Sequence, residues 1–324
     1  LHYSDTFRWL AGPARLAGAV LRVSPPEGGH VTPGLSCDFL PAVLASGARL
    51  FAEIDPELPA PPTASRIPLS RFEGWREAAT PLPAFETGEV PPDLAAIAAR
   101  IAARIRPGDT LQLGIGKAAA AVLEALGDDH RDLGWHAGLV IDAHLPHLDR
   151  GTFSRGLTTG TALGTAPLYA RAGREEALAW RGVDRTHFHT PLAAIPRFKA
   201  VNSALEIDLF GQSNGETLRG RQISGSGGSV DFQRGARASE GGEAILALPA
   251  TAAGGKVSRI KPRLEPVSIA SIQRADADVV VTEHGVAELR WKGADARAEA
   301  LIAIAAPEHR DALAEDWAAI RRAM

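Results

Sequence analysis

Cysteine and long apolar runs are both scarce in this sequence of 324 residues. Its single cysteine, Cys37, cannot form a disulfide within the chain, and such scarcity is typical of proteins that work in a reducing compartment. No apolar run approaches the roughly 20 residues that a membrane-spanning helix needs, and no charged-then-apolar leader opens the chain. We therefore expect a cytoplasmic protein that makes no contact with a membrane.

The sequence also lacks an excess of positive charge. Lysine and arginine together number 35 against 38 aspartates and glutamates, which gives a formal net charge of −3. Nucleic-acid-binding proteins carry a basic field, so no nucleic-acid partner is expected. Hydrophobic residues make up 45% of the chain, which is enough for one large domain or two of ordinary size.

Strand patterns alternate with helix patterns along most of the chain, which predicts an α/β fold. Buried strands are predicted at 16–24 and 48–55, with a helix between them that closes at Gly47. The stretch 56–92 is rich in proline, which cannot enter a ladder or a helix interior, so it is predicted to connect two domains.

The remainder of the chain has clearer periodicity. Asp93 is predicted to cap a helix that extends to Arg106, and a second helix is predicted over about 294–306. Apolar runs predict further strands at 110–113, 138–142, 199–212 (one or two strands), 243–250 and 277–283.

A Gly-x-Gly turn lies in the stretch LQLGIGKAAAAVLEAL, between a predicted strand and a predicted helix. Gly114, Gly116 and Ala119 match a dinucleotide fingerprint, for which Asp142 is the nearest acidic residue. Alternatively, the amides at the helix start hold an anion or a carbonyl group. The third interpretation is a tight strand–helix crossing at which only glycine fits.

A second glycine-rich loop lies in the stretch GRQISGSGGSVDF. Gly225, Gly227 and Gly228 leave backbone N–H groups accessible and let a ligand approach the main chain. The alternative is a flexible surface hairpin. Structured segments are predicted close to the loop on both sides, which makes that alternative less favourable.

Seven motifs occur in a fixed order: SPPEGGHVTPGLSCDF, LQLGIG, VNSALEIDLFGQ, SGSGGSVDFQRGARASEGG, ALPAT, SRIKP and VVTEHGVAEL. Together they resemble the acetyl-CoA hydrolase/transferase family, which includes 4-hydroxybutyrate and butyrate:acetate CoA-transferases. The resemblance extends from about Ser4 to Leu313, and it outweighs the partial dinucleotide match.

The resemblance implies two open α/β domains with the active site in their cleft. It implies acyl-CoA and a small carboxylate as substrates, no metal, and often a homodimer. In such enzymes a glutamate attacks the acyl-CoA, forming an acyl anhydride and then a glutamyl-CoA thioester, while amides of the two glycine turns stabilise the oxyanion. The positions implied to bind coenzyme A or acyl-CoA are Gly114, Ile115, Gly116, Gly225, Gly227, Gly228 and Arg234.

Arg234 is included because a guanidinium group suits a phosphate of CoA, although a salt bridge to Asp231 or Glu240 is an equal alternative. The resemblance also predicts a partial N-terminal domain at 1–85 and a C-terminal domain at 86–324. Judged by usual domain size, roughly the first hundred residues of the family's N-terminal domain are absent.

The chain departs from the family where the nucleophile is expected. The family stretch resembles LGIHTEM, and the matching stretch here is LGWHAGLVID. His136 is retained, but Ala137 stands at the threonine position and Gly138 at the glutamate position. Glycine has no side chain, so the usual glutamyl-CoA intermediate cannot form at Gly138. We expect Gly138→Glu to restore exchange activity if the rest of the cleft is intact.

Three carboxylates are candidate substitutes for the missing glutamate: Asp142, Glu206 and Glu283. For each, a structural ion pair or hydrogen bond is the alternative role. One way to retain chemistry is hydrolysis of acyl-CoA with Glu206 or Glu283 as the general base. Two other functions stay open: an acyl-CoA-binding protein that has lost catalysis, and an NAD-dependent oxidoreductase.

Four histidines lie near carboxylates in the stretches DAHLPHLD and THFH. Histidine and aspartate are suitable metal ligands. The spacing matches no strong metal-binding template, however, so no metal is expected. The histidines are His144, His147, His187 and His189.

Overall fold

The computed structural model describes all 324 residues. The α-helices are α1 Tyr3–Ala11, α2 Leu40–Ala45, α3 Pro92–Ala102, α4 Lys117–Ala125, α5 Leu145–Arg150, α6 Ala166–Ala172, α7 Val183–Thr186, α8 His189–Ala193, α9 Ser229–Ala238, α10 Ala294–Ala303 and α11 Arg310–Ala323. Short 3-10 turns occupy Leu69–Arg71, Asp142–His144 and Pro307–His309. None of the helices combines the length and the apolar composition that crossing a bilayer requires.

The strands are β1 Gly18–Val23, β2 His30–Val31, β3 Arg49–Ile54, β4 Ile67–Pro68, β5 Phe72–Glu77, β6 Thr110–Leu113, β7 Gly134–His136, β8 Leu139–Val140, β9 Leu157–Thr159, β10 Thr161–Ala162, β11 Leu178–Trp180, β12 Phe198–Ser203, β13 Glu206–Asp208, β14 Ser213–Asn214, β15 Thr217–Leu218, β16 Arg221–Gln222, β17 Glu243–Ala247, β18 Thr251–Ala252, β19 Val257–Ser258, β20 Ile260–Lys261, β21 Val279–Thr282 and β22 Gly285–Glu288.

The residues group into two compact units. The first unit comprises 1–2, 88–130 and 192–324, and the second comprises 3–87 and 131–191. These units follow contacts within the fold, whereas the division into 1–85 and 86–324 concerns family domains, and that division stays a prediction.

The first unit is built on a parallel sheet whose strands are ordered β6-β12-β17-β21, with β22 added antiparallel to β21. Helix α9 packs against β12 and β17. Residues of β17 and β21 such as Leu246 and Val280 are fully buried beside Leu301 of α10. Strands covered on both faces are nearly continuous apolar runs, and β17 and β21 confirm the strands predicted at 243–250 and 277–283.

The second unit contains the parallel strands β1-β3-β5 and the parallel strands β7-β9-β11. Its small core includes Val23, Leu40 and Ala52. Strands β1 and β3 and the intervening helix α2 confirm the predictions for that region. Gly47 follows α2 with φ +75°, a left-handed conformation suited to glycine after a helix.

Three local predictions were wrong. The stretch 56–92 is not a plain connection, because its proline-free segment Phe72–Glu77 forms β5 and pairs with β3. Helix α3 begins at Pro92 after Pro91 and ends at Ala102, so Asp93 lies in its first turn and does not cap it. The strand predicted at 138–142 is only Leu139–Val140, because the chain turns into a 3-10 helix at Asp142.

Candidate active site

The first glycine turn joins the end of β6 to the start of α4. Gly116 has φ +85°, a conformation that residues with a side chain rarely adopt. Gly114 N donates a hydrogen bond to Val201 O at 3.0 Å, which ties the turn to β12. The backbone N–H groups of Ile115 and Gly116 have no hydrogen-bond partner in the chain. No side chain caps α4, so its positive end is open to a ligand.

The second glycine turn leads into α9. Gly227 has φ +54°, and a Cβ built on Gly225 or Gly227 would meet nothing within 4 Å. Ser226 O accepts hydrogen bonds from Ser229 N at 3.2 Å and Ser229 Oγ at 2.7 Å, which fixes the turn. The amides of Gly227 and Gly228 have no partner, and no side chain caps α9. The turn therefore combines open space with unpaired donors.

Both turns lie at the same edge of the sheet in the first unit. Ser239 follows α9 directly. Its Oγ donates a hydrogen bond to Ile195 O at 2.6 Å and accepts one from Phe198 N at 3.1 Å, so α9 ends beside the start of β12. The other end of α9, at Gly228, must then lie toward the carboxyl end of β12. Strand β6 runs parallel to β12, and its own carboxyl end leads into Gly114. Ligands of open α/β sheets bind at this edge.

Arg234 is engaged in a salt bridge rather than free for a phosphate. Its Nε lies 3.0 Å from Asp276 Oδ2. The next arginine of α9, Arg237, pairs with Asp278. The predicted partners Asp231 and Glu240 were wrong, because Arg234 pairs with Asp276; the role of Arg234 in binding a phosphate of CoA stays a prediction.

In the second unit, the ring of His187 crowds the α-carbon of Gly138. A Cβ on Gly138 would lie 3.0 Å from His187 Cε1 and 3.3 Å from Nε2. His187 is 3% exposed, and burial lowers its pKa to about 3, so the ring is neutral. Its Nδ1 is hydrogen bonded to Thr186 Oγ1 at 2.8 Å. A neutral, fixed imidazole therefore stands where a side chain at 138 would begin.

His136, the retained family histidine, is held by the backbone. Its Nε2 lies 3.2 Å from Arg185 O, and burial lowers its pKa to about 4. The ring is therefore neutral at physiological pH.

The three candidate substitutes for the missing glutamate all have structural partners. Glu206 Oε1 accepts hydrogen bonds from Asn214 Nδ2 at 2.9 Å and Ser268 Oγ at 2.8 Å. Glu283 Oε2 accepts one from Ala250 N at 2.8 Å. These contacts account for both carboxylates without catalysis, although the proposed role of either as a base stays a prediction.

Asp142 fixes the start of α6. Its Oδ1 accepts a hydrogen bond from Thr165 Oγ1 at 2.7 Å, and its Oδ2 accepts one from Thr165 N at 3.1 Å. A dinucleotide-binding acid must instead be free to bind a ribose hydroxyl, so this arrangement argues against the NAD-dependent alternative.

We expect Asp142→Ala to lower the free energy of unfolding by about 2 kcal/mol, because two hydrogen bonds to a carboxylate are lost. Urea unfolding measures this change. Asp149→Ala is the control, since the Asp149 side chain is 73% exposed and its ion pair with Arg171 Nε is long, at 3.6 Å. Removing this carboxylate is expected to change the free energy of unfolding by less than about 1 kcal/mol. Equal effects of the two substitutions would contradict the assigned role of Asp142.

The four histidines singled out in the sequence are not gathered around a common centre. His144 packs edge-on against Trp135 with ring centroids 4.2 Å apart, and burial lowers its pKa to about 3. His147 Nδ1 lies 3.2 Å from Thr152 Oγ1. No group of three or more histidine, cysteine, aspartate or glutamate side chains is arranged to hold a metal ion.

Sequence reasoning missed Asp38. Its Oδ2 accepts a hydrogen bond from Thr161 Oγ1 at 2.9 Å, whereas its buried Oδ1 has no hydrogen-bond partner. Burial raises the pKa of the carboxyl group to about 6. The residue also lines a largely apolar cavity of about 470 Å³. The only sequence signal was a lone acid between Cys37 and Phe39, and a lone acid does not predict burial.

An open parallel sheet with unpaired amides at its carboxyl edge defines a ligand-binding α/β protein, and comparison with known proteins specifies which. Residues 164–317 match the acetyl-CoA hydrolase/transferase C-terminal domain. The chain is 35% identical over 308 residues to the 4-hydroxybutyrate coenzyme A transferase of Clostridium kluyveri, covering 92% of this chain and 72% of that protein. The chain belongs to the acetyl-CoA hydrolase/transferase family.

Solved structures agree with this assignment. RipA from Yersinia pestis superposes with a TM-score of 0.92 at 29% identity, covering 99% of this chain and 74% of that one. The 4-hydroxybutyrate CoA-transferase from Porphyromonas gingivalis superposes with a TM-score of 0.86 at 32% identity, covering 99% and 79%. The fold is therefore the α/β fold of CoA-transferases, as predicted.

Proposed function

We propose that this chain acts on CoA thioesters, either transferring CoA from an acyl-CoA to a small carboxylate or hydrolysing the acyl-CoA. One observation carries the proposal: four unpaired backbone amides, those of Ile115, Gly116, Gly227 and Gly228, lie in two turns at one edge of one sheet. The similarity of this chain to two proteins named as 4-hydroxybutyrate CoA-transferases also supports the proposal.

These amides suit a reaction at a thioester carbonyl. Attack on that carbonyl places negative charge on its oxygen, and preorganised N–H donors stabilise the charge without having to reorganise. The two turns also begin α4 and α9, whose positive ends favour an anion. Coenzyme A enters as part of the substrate, and no step of this chemistry requires a metal.

The glycine at position 138 separates this chain from the standard family mechanism. Without a side chain at Gly138 no glutamyl-CoA thioester forms there, so the protein needs another nucleophile, uses water, or only binds acyl-CoA. Binding without turnover is the second candidate function, and it is favoured by the structural partners of Glu206 and Glu283. A cytoplasmic location and a homodimer stay predictions.

Product analysis tests the proposal. The protein is incubated with acetyl-CoA and propionate, and the CoA species are separated by chromatography. Propionyl-CoA identifies a transferase, and free CoA without propionyl-CoA identifies a hydrolase. Acetyl-CoA binding with neither product supports the binding function. Absence of CoA binding, or binding of NAD in its place, would overturn the proposal.

We expect Gly227→Ala to reduce turnover roughly tenfold or more, because the substitution strains the turn and moves an oxyanion donor. A side chain at φ +54° costs about 1–2 kcal/mol. Gly254→Ala is the matched control, since Gly254 has φ +67° and equally open surroundings in the β18–β19 hairpin. Thermal melting should show a similar fall in melting temperature for both variants. Equal loss of turnover would contradict the role of Gly227.

A further inference from the structure

We propose that Asp38 supplies the catalytic carboxylate that position 138 has lost. The inference rests on the proposed function, since it concerns the nucleophile for the same acyl-CoA chemistry. It places the nucleophile in a different segment of the second unit from the one that carries it in the family.

Asp38 Oδ1 and Gly138 O both lie close to the α-carbon of Gly160. A Cβ on Gly160 would overlap Asp38 Oδ1, and the same Cβ would lie 3.1 Å from Gly138 O. Gly160 N in turn donates a hydrogen bond to Gly138 O at 3.1 Å. The carboxylate is therefore next to the backbone position at which the family glutamate begins.

A hydrogen-bond relay holds Asp38 in this place. Thr161 Oγ1 donates to Asp38 Oδ2 at 2.9 Å, and since its single proton is used there, it accepts from Ser36 Oγ at 2.9 Å. Cys37 N donates to Gly160 O at 2.7 Å, which pins the backbone as well. One carboxylate oxygen is thus anchored, and the other is left without a partner.

An unpaired buried carboxylate oxygen is costly for a structural residue. Leaving such an acceptor unsatisfied is unfavourable, and more so when it is charged. The other acids considered, Asp142, Glu206 and Glu283, all have partners. Among these four acids, Asp38 is the one with a buried oxygen that has no hydrogen-bond partner. Poor solvation makes that oxygen a stronger nucleophile.

The cavity beside Asp38 fits an acyl group. Its volume is about 470 Å³, and apolar side chains including Leu35, Leu40 and Leu163 dominate its lining. Binding sites for small molecules combine such apolar walls with few polar groups. Asp38 is among the residues that line this cavity, so we place the acyl group of the thioester there.

The chemistry balances without a further reactant. A carboxylate oxygen of Asp38 attacks the thioester carbonyl, the C–S bond breaks, and CoA leaves as the thiolate, giving an acyl-aspartyl anhydride. The thiolate then attacks the aspartyl carbonyl and releases the acyl group as its carboxylate, which leaves an aspartyl-CoA thioester. Water or an acceptor carboxylate resolves that thioester.

Borohydride trapping tests the assignment. The protein is incubated with acetyl-CoA, reduced with borohydride and digested, and the peptides are examined by mass spectrometry. Conversion of Asp38 to homoserine, dependent on acetyl-CoA, is the expected result. Asp38→Asn should abolish both the labelling and turnover, whereas Asp142→Asn should still be labelled at Asp38. Thermal melting verifies that both variants are folded.

The outcomes separate this inference from the proposed function. Turnover with the label on Glu206, Glu283 or no residue would overturn the role of Asp38 and leave the function standing. Retention of turnover in folded Asp38→Asn would do the same. Failure of the wild-type protein to turn over any acyl-CoA would overturn both.

Discussion

Asp38→Asn is expected to gain stability relative to the wild-type protein as the pH rises from 4 to 8, by about 3 kcal/mol across that range. The cause is the buried carboxyl group, whose pKa of about 6 in the folded protein exceeds its ordinary value of 3.8. Burial disfavours the charged form, and the hydrogen bond from Thr161 offsets only part of that penalty.

The sign follows from proton binding. Well below pH 3.8 the carboxyl group is protonated in both the folded and the unfolded states, so it makes no difference to stability. Between pH 4 and 6 the unfolded chain releases its proton first, so the wild-type protein loses stability until the folded form also ionises. Asparagine does not ionise, so the variant escapes this loss.

Urea unfolding of both proteins at several pH values measures the difference. The titratable groups that interact with Asp38 are Tyr3 and Cys37. Arg181 and Asp184 interact with Cys37 in turn, and all four groups are unchanged in the variant. Asp149→Asn is the control, because an exposed acid should give a nearly flat difference. A flat difference for Asp38→Asn as well would show that Asp38 is solvated, and would remove one support for its reactivity.

Gly138→Glu alone is expected not to raise CoA exchange above the level of the wild-type protein, contrary to the expectation from the sequence. The new Cβ would press on His187 Cε1 at 3.0 Å, which is tighter than ordinary van der Waals contact. Overpacking of this kind costs about 1–3 kcal/mol. The buried ring is held by Thr186 and has little freedom to move aside.

Removing the ring should change the outcome. The double variant Gly138→Glu/His187→Ala is expected to gain exchange of CoA between acetyl-CoA and labelled acetate, above the level of either single variant. His187→Ala alone is the control, because it shows whether the space left by the ring changes CoA exchange without a glutamate at position 138. Equal exchange by Gly138→Glu with and without the ring would show that His187 is no obstacle. No exchange in any folded variant would indicate that position 138 no longer faces the substrate.

Local patterns predicted the features that depend on neighbouring residues. The Gly-x-Gly turn at Gly114 and Gly116 was predicted because a strand, a turn and a helix follow one another within sixteen residues. Strands such as β17 and β21 were predicted because burial on both faces makes their sequences nearly continuous apolar runs. The family resemblance supplied the overall fold.

Contacts between distant segments escaped prediction. Asp38 meets Gly160 and Thr161 across more than a hundred residues, and no local pattern marks such an encounter. The crowding of Gly138 by His187 is of the same kind. Arg234 pairs with Asp276, which is 42 residues away along the chain, and not with an acid near it in the sequence. The site chemistry therefore depends on tertiary packing that one sequence does not reveal.

We infer that the two glycine turns hold a thioester carbonyl. A crystal structure with a non-hydrolysable acyl-CoA thioether analogue that keeps the acyl carbonyl would locate that group. We expect its carbonyl oxygen about 2.7–3.1 Å from an amide of Ile115 or Gly116 and from an amide of Gly227 or Gly228. A bound analogue whose carbonyl lies away from both turns would rule out this role of the turns.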